Sequence, residues 1–177
     1  MIFSGTLNPN VDPSYLLSML DDPICNAIHV HFYAAKTPMR EKVERSGIVG
    51  VECYDWVLPS KLVKLQLSAD ALISIAECEG KQISSKIYEY MSLGKPVMHL
   101  YTCDNDVNLK YLVNYPFALC LKCDAKELLH NRWRMILWLA WVKGRRVSFE
   151  KAVKNLKELT PYYVTNQIME VLNAERS

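Results

Sequence analysis

Six short apolar runs recur along the chain, and amphipathic stretches separate them. The runs are rich in Val, Ile and aromatic residues and are continuous rather than strictly alternating. They lie at 1–7, 27–34, 48–53, 71–76, 96–101 and 117–122. Continuous runs of this length are typical of parallel strands that are covered on both faces. We therefore predict an α/β protein with a doubly wound, six-stranded parallel sheet.

The stretches between the runs carry signals for the beginning and end of helices. Asp12 and Thr37 each precede a proline, so each can cap a helix that has proline in its first turn. The other helix candidates in this part are 60–68, 84–93, which Gly94 follows, and 106–114. Alternation of strands and helices in this way predicts a Rossmann-like arrangement.

After residue 123 the pattern becomes entirely helical. The expected helices are 125–142, 148–159 and 162–174. A chain of 177 residues and 20.4 kDa fits one domain. We expect a single domain, with the sheet in 1–123 and closing helices in 124–177.

Charge and hydropathy exclude several classes of function. Lys plus Arg is 21 and Asp plus Glu is 19, so the net charge of +2 gives no footprint for nucleic acid. The longest apolar run has 8 residues, at 135–142, and a membrane helix needs about 20. The N-terminus lacks the basic and apolar regions of a secretion signal. We therefore expect a cytoplasmic protein without a transmembrane segment.

The six cysteines are interpreted as reduced thiols, mostly within apolar stretches. Cys120 and Cys123 form one CxxC pair, but a structural zinc site usually needs a second pair or a pair of histidines. We predict no metal site and no cofactor.

Two segments fall where doubly wound sheets bind ligands, beyond the carboxyl ends of strands. In the first, Gly5 ends a strand between Ser4 and Thr6, so the backbone can approach a phosphate and the hydroxyls can donate to it. An ordinary glycine at the end of a strand explains this segment equally well.

In the second segment, Ser84 and Ser85 stand at a helix start, where free N–H groups and the helix dipole attract anions. Lys86 adds a cation in the first turn, where it is normally disfavoured, and this placement suits an anionic ligand. Glu89 lies one turn beyond Ser85 on the same face and can accept hydrogen bonds from a ribose. The alternative is that the serines only cap the helix and that Glu89 is merely exposed.

The segment 83–101, ISSKIYEYMSLGKPVMHLY, resembles the nucleotide-sugar-binding segment of glycosyltransferases with the GT-B fold. More closely, it resembles bacterial enzymes of the "glycosyl transferases group 1" type, which build polysaccharides. The stretch 3–17, FSGTLNPNVDPSYLL, is similar to the strand and phosphate loop that begin the C-terminal domain of those enzymes. Residues 69–73 and 147–172 resemble their fourth strand and closing helices.

The resemblance implies that the chain binds a nucleotide diphosphate sugar as donor substrate, without a metal. Glu89 matches the ribose-binding second acid of a Glu-x7-Glu pattern, whereas Lys81 stands at the position of the first acid. Val11 stands where the phosphate loop often has an arginine, and Lys86 is a candidate replacement. The base is expected near the loop 55–58, where Trp56 can stack on it and Val57 lies beside it. A partly buried structural Trp56 is the alternative.

The resemblance further implies a hexosyltransferase-like enzyme whose acceptor-binding N-terminal domain lies outside these residues. We expect the chain to bind donor without turnover, to need that domain in cis or in trans, and to reach the inner membrane face through it. Self-association through the exposed cleft is a further expectation, and the catalytic residues are unknown.

Two other functions are considered. One is part of a UDP-sugar epimerase-like enzyme. The other is a non-catalytic interaction domain, with Trp133, Trp138 and Trp141 contacting a partner. We favour the interpretation that these tryptophans pack a terminal helix onto the sheet.

Overall fold

The computed structural model describes residues 1–148, 150–152 and 165. Its sheet has six parallel strands in the order β3-β2-β1-β4-β5-β6. They are β1 (Ile2–Gly5), β2 (Val30–Ala34), β3 (Val51–Tyr54), β4 (Leu72–Ile75), β5 (Val97–Tyr101) and β6 (Ala118–Lys122). The predicted doubly wound, Rossmann-like sheet is confirmed, and the strand order reverses direction between β1 and β4.

Six helices accompany the strands in the described part of the chain. They are α1 (Ser14–Leu20), α2 (Pro38–Glu44), α3 (Pro59–Ser68), α4 (Ser85–Ser92), α5 (Leu109–Leu112) and α6 (Leu128–Val142). Short 3-10 turns occur at Pro23–Cys25 and Ala125–Glu127. Of the helices expected at 148–159 and 162–174, the structure describes residues 148, 150–152 and 165, and 150–152 and 165 are helical; the rest of both helices stays a prediction.

The two capping predictions have different outcomes. Thr37 caps α2 as expected, because its Oγ1 accepts the backbone N–H of Arg40 at 3.1 Å. For α1 the prediction is wrong by one residue, since Pro13 occupies the cap and the helix begins at Ser14. The Asp12 carboxylate accepts the N–H of Ser14 at 2.8 Å, which forms a local turn just ahead of the helix.

The predicted helix 106–114 is reduced to the four residues of α5. Asp106 Oδ1 accepts both the backbone N–H and the side-chain amide of Asn108, each at 2.7 Å. Such side-chain bonds to nearby backbone groups compete with helix formation. They therefore delay the helix until Leu109.

The core has one layer on each face of the sheet, because successive strand residues point to opposite sides. On one face Phe3, Ile73 and Met98 pack with α1, α2 and α6. On the other face Ile2 and Leu72 pack with α3, α4 and α5. The continuous apolar runs in the sequence follow from this double cover.

The interpretation that all three tryptophans of α6 pack onto the sheet is wrong for two of them. Trp138 is buried, whereas Trp133 and Trp141 are about half exposed. The buried positions of α6 are Asn131, Met135, Trp138 and Val142, which follow the i, i+4, i+7, i+11 spacing of one face. At 100° per residue, positions 133 and 141 fall outside that face.

Gly94 ends α4 as predicted and has a positive φ of +66°. A Cβ at this position would lie only 2.4 Å from the carbonyl oxygen of Val147. The N–H of Val147 in turn donates to the Gly94 carbonyl at 2.8 Å. The end of α4 is therefore in close backbone contact with the segment that follows α6.

We expect Gly94→Ala to lower the free energy of unfolding by at least about 2 kcal/mol, because it combines an unfavourable φ with a backbone clash. Gly47→Ala is the matched control, since Gly47 has a φ of +64° but no atom within 4 Å of the added Cβ. It should cost only about 1 kcal/mol. Urea unfolding measures both, and equal losses would contradict the role assigned to the Val147 contact.

Candidate functional site

The candidate site lies where β1 and β4 diverge, at the carboxyl edge of the sheet. Gly5 ends β1 with a φ of +154°, which favours glycine. The Cε atom of Lys86 would be 3.5 Å from a Cβ built on Gly5. The lysine side chain from the first turn of α4 thus lies over the glycine of β1, and the structure brings the two predicted segments together.

Glu89 lies beside Lys86 and is held in place by α3. Its Oε2 is 3.5 Å from Lys86 Nζ, and its Oε1 accepts the side-chain amide of Gln66 at 2.7 Å. The same Gln66 nitrogen donates to Ser4 Oγ at 3.2 Å. Lys86 and Glu89 are each about one third exposed, so both remain accessible to a ligand.

Tyr90 anchors α4 to β1 beneath this pair. Its hydroxyl is 3.0 Å from Ser4 Oγ, and both residues are buried. Burial raises the pKa of Tyr90 well above its usual value, although its hydrogen bonds to Ser4 act in the opposite direction. The hydroxyl is therefore protonated at neutral pH and serves as a neutral anchor.

Two small adjoining pockets open at this junction, of about 100 and 20 Å³, and Ser4, Gly5 and Lys86 line both of them. The first extends over Phe3, Thr6, Val11, Ile73, Ser74 and Ile75. The second extends over Tyr33, Trp56, Val57 and Leu62. The predicted residues Gly5, Thr6, Lys86, Trp56 and Val57 therefore surround one connected depression.

Ser84 and Ser85 stand at the start of α4 but line neither pocket. The backbone N–H of Ser84 donates to Asn108 Oδ1 at 2.9 Å, so this group is already used within the protein. The Ser84 side chain makes no capping hydrogen bond to the helix. The N–H groups of Ser85 and Lys86 belong to the first turn and have no carbonyl within the helix to bond.

The loop that carries Trp56 is held by a residue that the sequence did not single out. Arg40 is buried and donates to Asp55 at 2.6 Å and to the carbonyl of Ala34 at 2.7 Å. Its hydrogen bond lowers the pKa of Asp55 below the usual value. Trp56 is 65% exposed, so the alternative of a partly buried structural tryptophan is wrong.

Gln66 is the second residue that the sequence did not single out. It is fully buried on the face of α3 that carries Leu62 and Leu65. The available signal was a polar residue four positions after Leu62, within an otherwise apolar face. Because buried polar groups need partners, such a position predicts a contact with another element.

A buried polar chain holds the loop that precedes α4. Ser74 Oγ is 3.1 Å from His99 Nδ1, and His99 Nε2 is 3.5 Å from Asp106 Oδ2. Asn108 continues the chain, since it bonds Asp106, the carbonyl of Gln82 and the N–H of Ser84. Burial acts to raise the pKa of Asp106, but the contact with His99 and the bonds from Asn108 outweigh it and lower that pKa.

A lowered pKa in the folded state makes the carboxylate of Asp106 stabilising. Its contribution is complete above the ordinary pKa of 3.8 and is lost as pH falls through the lower folded-state pKa. Below pH 3.8 the unfolding free energy should therefore fall less steeply with acidification in Asp106→Asn than in the unchanged protein. Asn26→Ala, which changes no titratable group at an exposed position, should keep the original slope. Chemical denaturation across this pH range measures the slopes, and parallel curves for Asp106→Asn would contradict the assignment.

Other features of the described residues bear on ligands and membranes. In these parts of the chain no group of three or more His, Cys, Asp or Glu residues is placed to hold a metal ion. The six cysteines are free thiols. No helix among the described residues is long and apolar enough to cross a bilayer.

Comparison with solved structures identifies the fold. AviGT4, a glycosyltransferase involved in avilamycin A biosynthesis, matches with a TM-score of 0.61 and 16% identity over 99% of this chain. TarM matches with a TM-score of 0.63 and 12% identity over 98% of this chain. The apo form of glycosyltransferase GlyE from Streptococcus pneumoniae TIGR4 matches with 0.51 and 16% over 80%. This chain therefore shares the fold of part of these proteins, and the expected Rossmann-like fold is confirmed.

The match covers only part of each neighbour. This chain spans 50% of AviGT4, 34% of TarM and 32% of GlyE. No protein-family model and no curated protein sequence matches it. At these identities the comparison establishes the fold alone and leaves the activity and the site residues as predictions.

Proposed function

We propose that this chain binds a nucleotide diphosphate sugar and is the donor-binding half of a glycosyltransferase that builds cell-surface polysaccharide. The observation that carries the proposal is the position of Lys86. Its side chain lies over Gly5 at the point where the strand order reverses, and its ammonium is 3.5 Å from the Glu89 carboxylate. A cation and an acid side by side suit a ligand that has both phosphates and a ribose.

The diphosphate would lie between Gly5 and the first turn of α4. Gly5 permits close approach of a phosphate, and Thr6 offers an exposed hydroxyl. The N–H groups of Ser85 and Lys86 and the positive end of the helix dipole favour negative charge there. Because Asn108 already uses the N–H of Ser84, that serine acts by shaping the turn.

The ribose would bind to Glu89. A carboxylate accepts hydrogen bonds from two neighbouring hydroxyls, as acidic residues do in dinucleotide-binding folds. Gln66 and Lys86 hold this carboxylate from two sides, which reduces the entropy lost when a ligand binds. The base would then extend towards Val57 and stack on Trp56, whose exposed ring Arg40 and Asp55 keep near the end of β2.

Transfer of the sugar would develop negative charge on the departing diphosphate. The α4 N-terminus and Lys86 can stabilise that charge without a metal ion. The acceptor and the groups that activate it would come from a further domain, in cis or in trans, because the chain spans half or less of its structural neighbours. Donor binding is accordingly the activity proposed for these residues, at the cytoplasmic side of a membrane.

Glu89→Ala should weaken nucleotide binding by about 1–3 kcal/mol, since it removes a charged hydrogen-bond acceptor. Calorimetric titration of the chain with UDP, GDP and ADP measures the effect and identifies the base. Glu41→Ala, in an exposed position on α2, is the control and should bind as the unchanged protein does. Absence of binding by all three nucleotides at millimolar concentration would refute donor binding by this chain and favour an interaction domain that kept the fold.

Lys86→Met tests whether this lysine contacts the phosphates of the ligand rather than its nucleoside. It should weaken UDP binding at least about tenfold, because the charge that contacts the diphosphate is lost. It should weaken uridine binding much less, because Gln66 still holds Glu89. Lys64→Met, at an exposed position of α3, should alter neither. Equal loss of UDP and uridine would place Lys86 away from the phosphates.

A further inference from the structure

The outward side of α6 is an apolar stripe. Four residues spaced four apart form it, and each is largely exposed: Leu129 (62%), Trp133 (46%), Leu137 (65%) and Trp141 (52%). From the first to the last, the stripe is about 18 Å long along the helix. Scattered exposed apolar residues are normal, but a continuous stripe with two tryptophans marks an interaction surface.

The charge around the stripe has one sign. Residues 128–148 contain no Asp or Glu, and their five cationic residues are Arg132, Arg134, Lys143, Arg145 and Arg146. The chain as a whole carries a net charge of only +2, so the positive charge is concentrated here. The acids Glu127 and Glu150 flank this segment in the sequence.

Within the described residues, most of these cations form no ion pair with an acidic side chain. Arg132 forms an ion pair with Asp22 at 2.5 Å. Arg134 and Arg146, in contrast, donate to the neutral oxygens of Asn131, Cys120 and Leu67, and Arg145 donates to the carbonyl of Trp141. The guanidinium of Arg145 also lies 5.3 Å from the centre of the Trp141 ring, which keeps charge and indole together.

We propose that α6 docks on an anionic membrane surface and lies in the plane of the headgroups. Tryptophan and leucine side chains enter the boundary between headgroups and acyl chains, and flanking arginines and lysines bind the lipid phosphates. A second copy of the chain fits this surface less well, because a symmetric contact would bring two positive patches together. The proposal does not depend on the donor site, since α6 and α4 cover opposite faces of the sheet.

Vesicle binding tests this proposal. The full chain should sediment with vesicles of phosphatidylcholine mixed with phosphatidylglycerol, but not with phosphatidylcholine alone, and added NaCl should weaken the binding. The double substitution Trp133→Ser and Leu137→Ser should reduce the bound fraction at least about tenfold. Val113→Ser, which removes an exposed valine just after α5, is the matched control and should bind fully.

The circular dichroism spectrum and the UDP affinity of the double variant should both be unchanged. A loss of vesicle binding then results neither from misfolding nor from damage to the donor site. Three results would overturn the proposal. The first is no sedimentation with the anionic vesicles, and the second is equal sedimentation with neutral vesicles. The third is a protein that does not bind vesicles but forms a dimer by light scattering, with the double substitution converting the dimer to a monomer. The last result would assign the stripe to a second copy.

Discussion

A buried hydrogen bond between the hydroxyls of Ser4 and Tyr90 fixes α4 against the end of β1, and the candidate site is built on that junction. Leaving either hydroxyl buried without a partner would cost about 1–3 kcal/mol, so the contact defines how the helix sits. Gln66 reinforces it from α3, because one amide group bonds both Ser4 and Glu89. The buried contact thus determines where an accessible carboxylate and the neighbouring Lys86 stand.

A second chain of polar side chains holds the start of the same helix. Asn108 holds the N–H of Ser84 and the carbonyl of Gln82, and through Asp106 it reaches His99 within the sheet. Tyr90 therefore ties the second turn of α4 to β1, and this chain ties the start of α4 to β5. A helix held at both places would lose little entropy on binding an anion, which is the usual benefit of preorganisation.

The sequence predicts the sheet well because its signals are local. Continuous apolar runs follow from burial on both faces, and the cap at Thr37 is formed within four residues. The positions of Gly5 and Lys86 at the carboxyl edge of the sheet could also be predicted, since each lies at the end or start of an element, whereas their role in binding stays a prediction. Gln66 and Arg40 could not, because their roles arise from contacts with other elements, such as the 2.7 Å bond from Gln66 to Glu89. The exposure of Trp133 and Trp141 on α6 was predicted wrongly, because the prediction did not take into account the 100° rotation from one helix residue to the next.

The balance of charge limits what the candidate site can do by itself. A diphosphate carries more negative charge than Lys86 can neutralise. The neighbouring Glu89 carboxylate also compensates part of the positive charge of Lys86. The helix dipole supplies about half a charge, and Val11, at the position where the resemblance predicts an arginine, supplies none. In the proposed donor site, Lys86 and the helix dipole would therefore stabilise part of the charge on the departing diphosphate, and the ribose and base would provide much of the recognition. A second domain closing over the edge of the sheet would add the remaining positive charge where Lys86 and Gly5 meet.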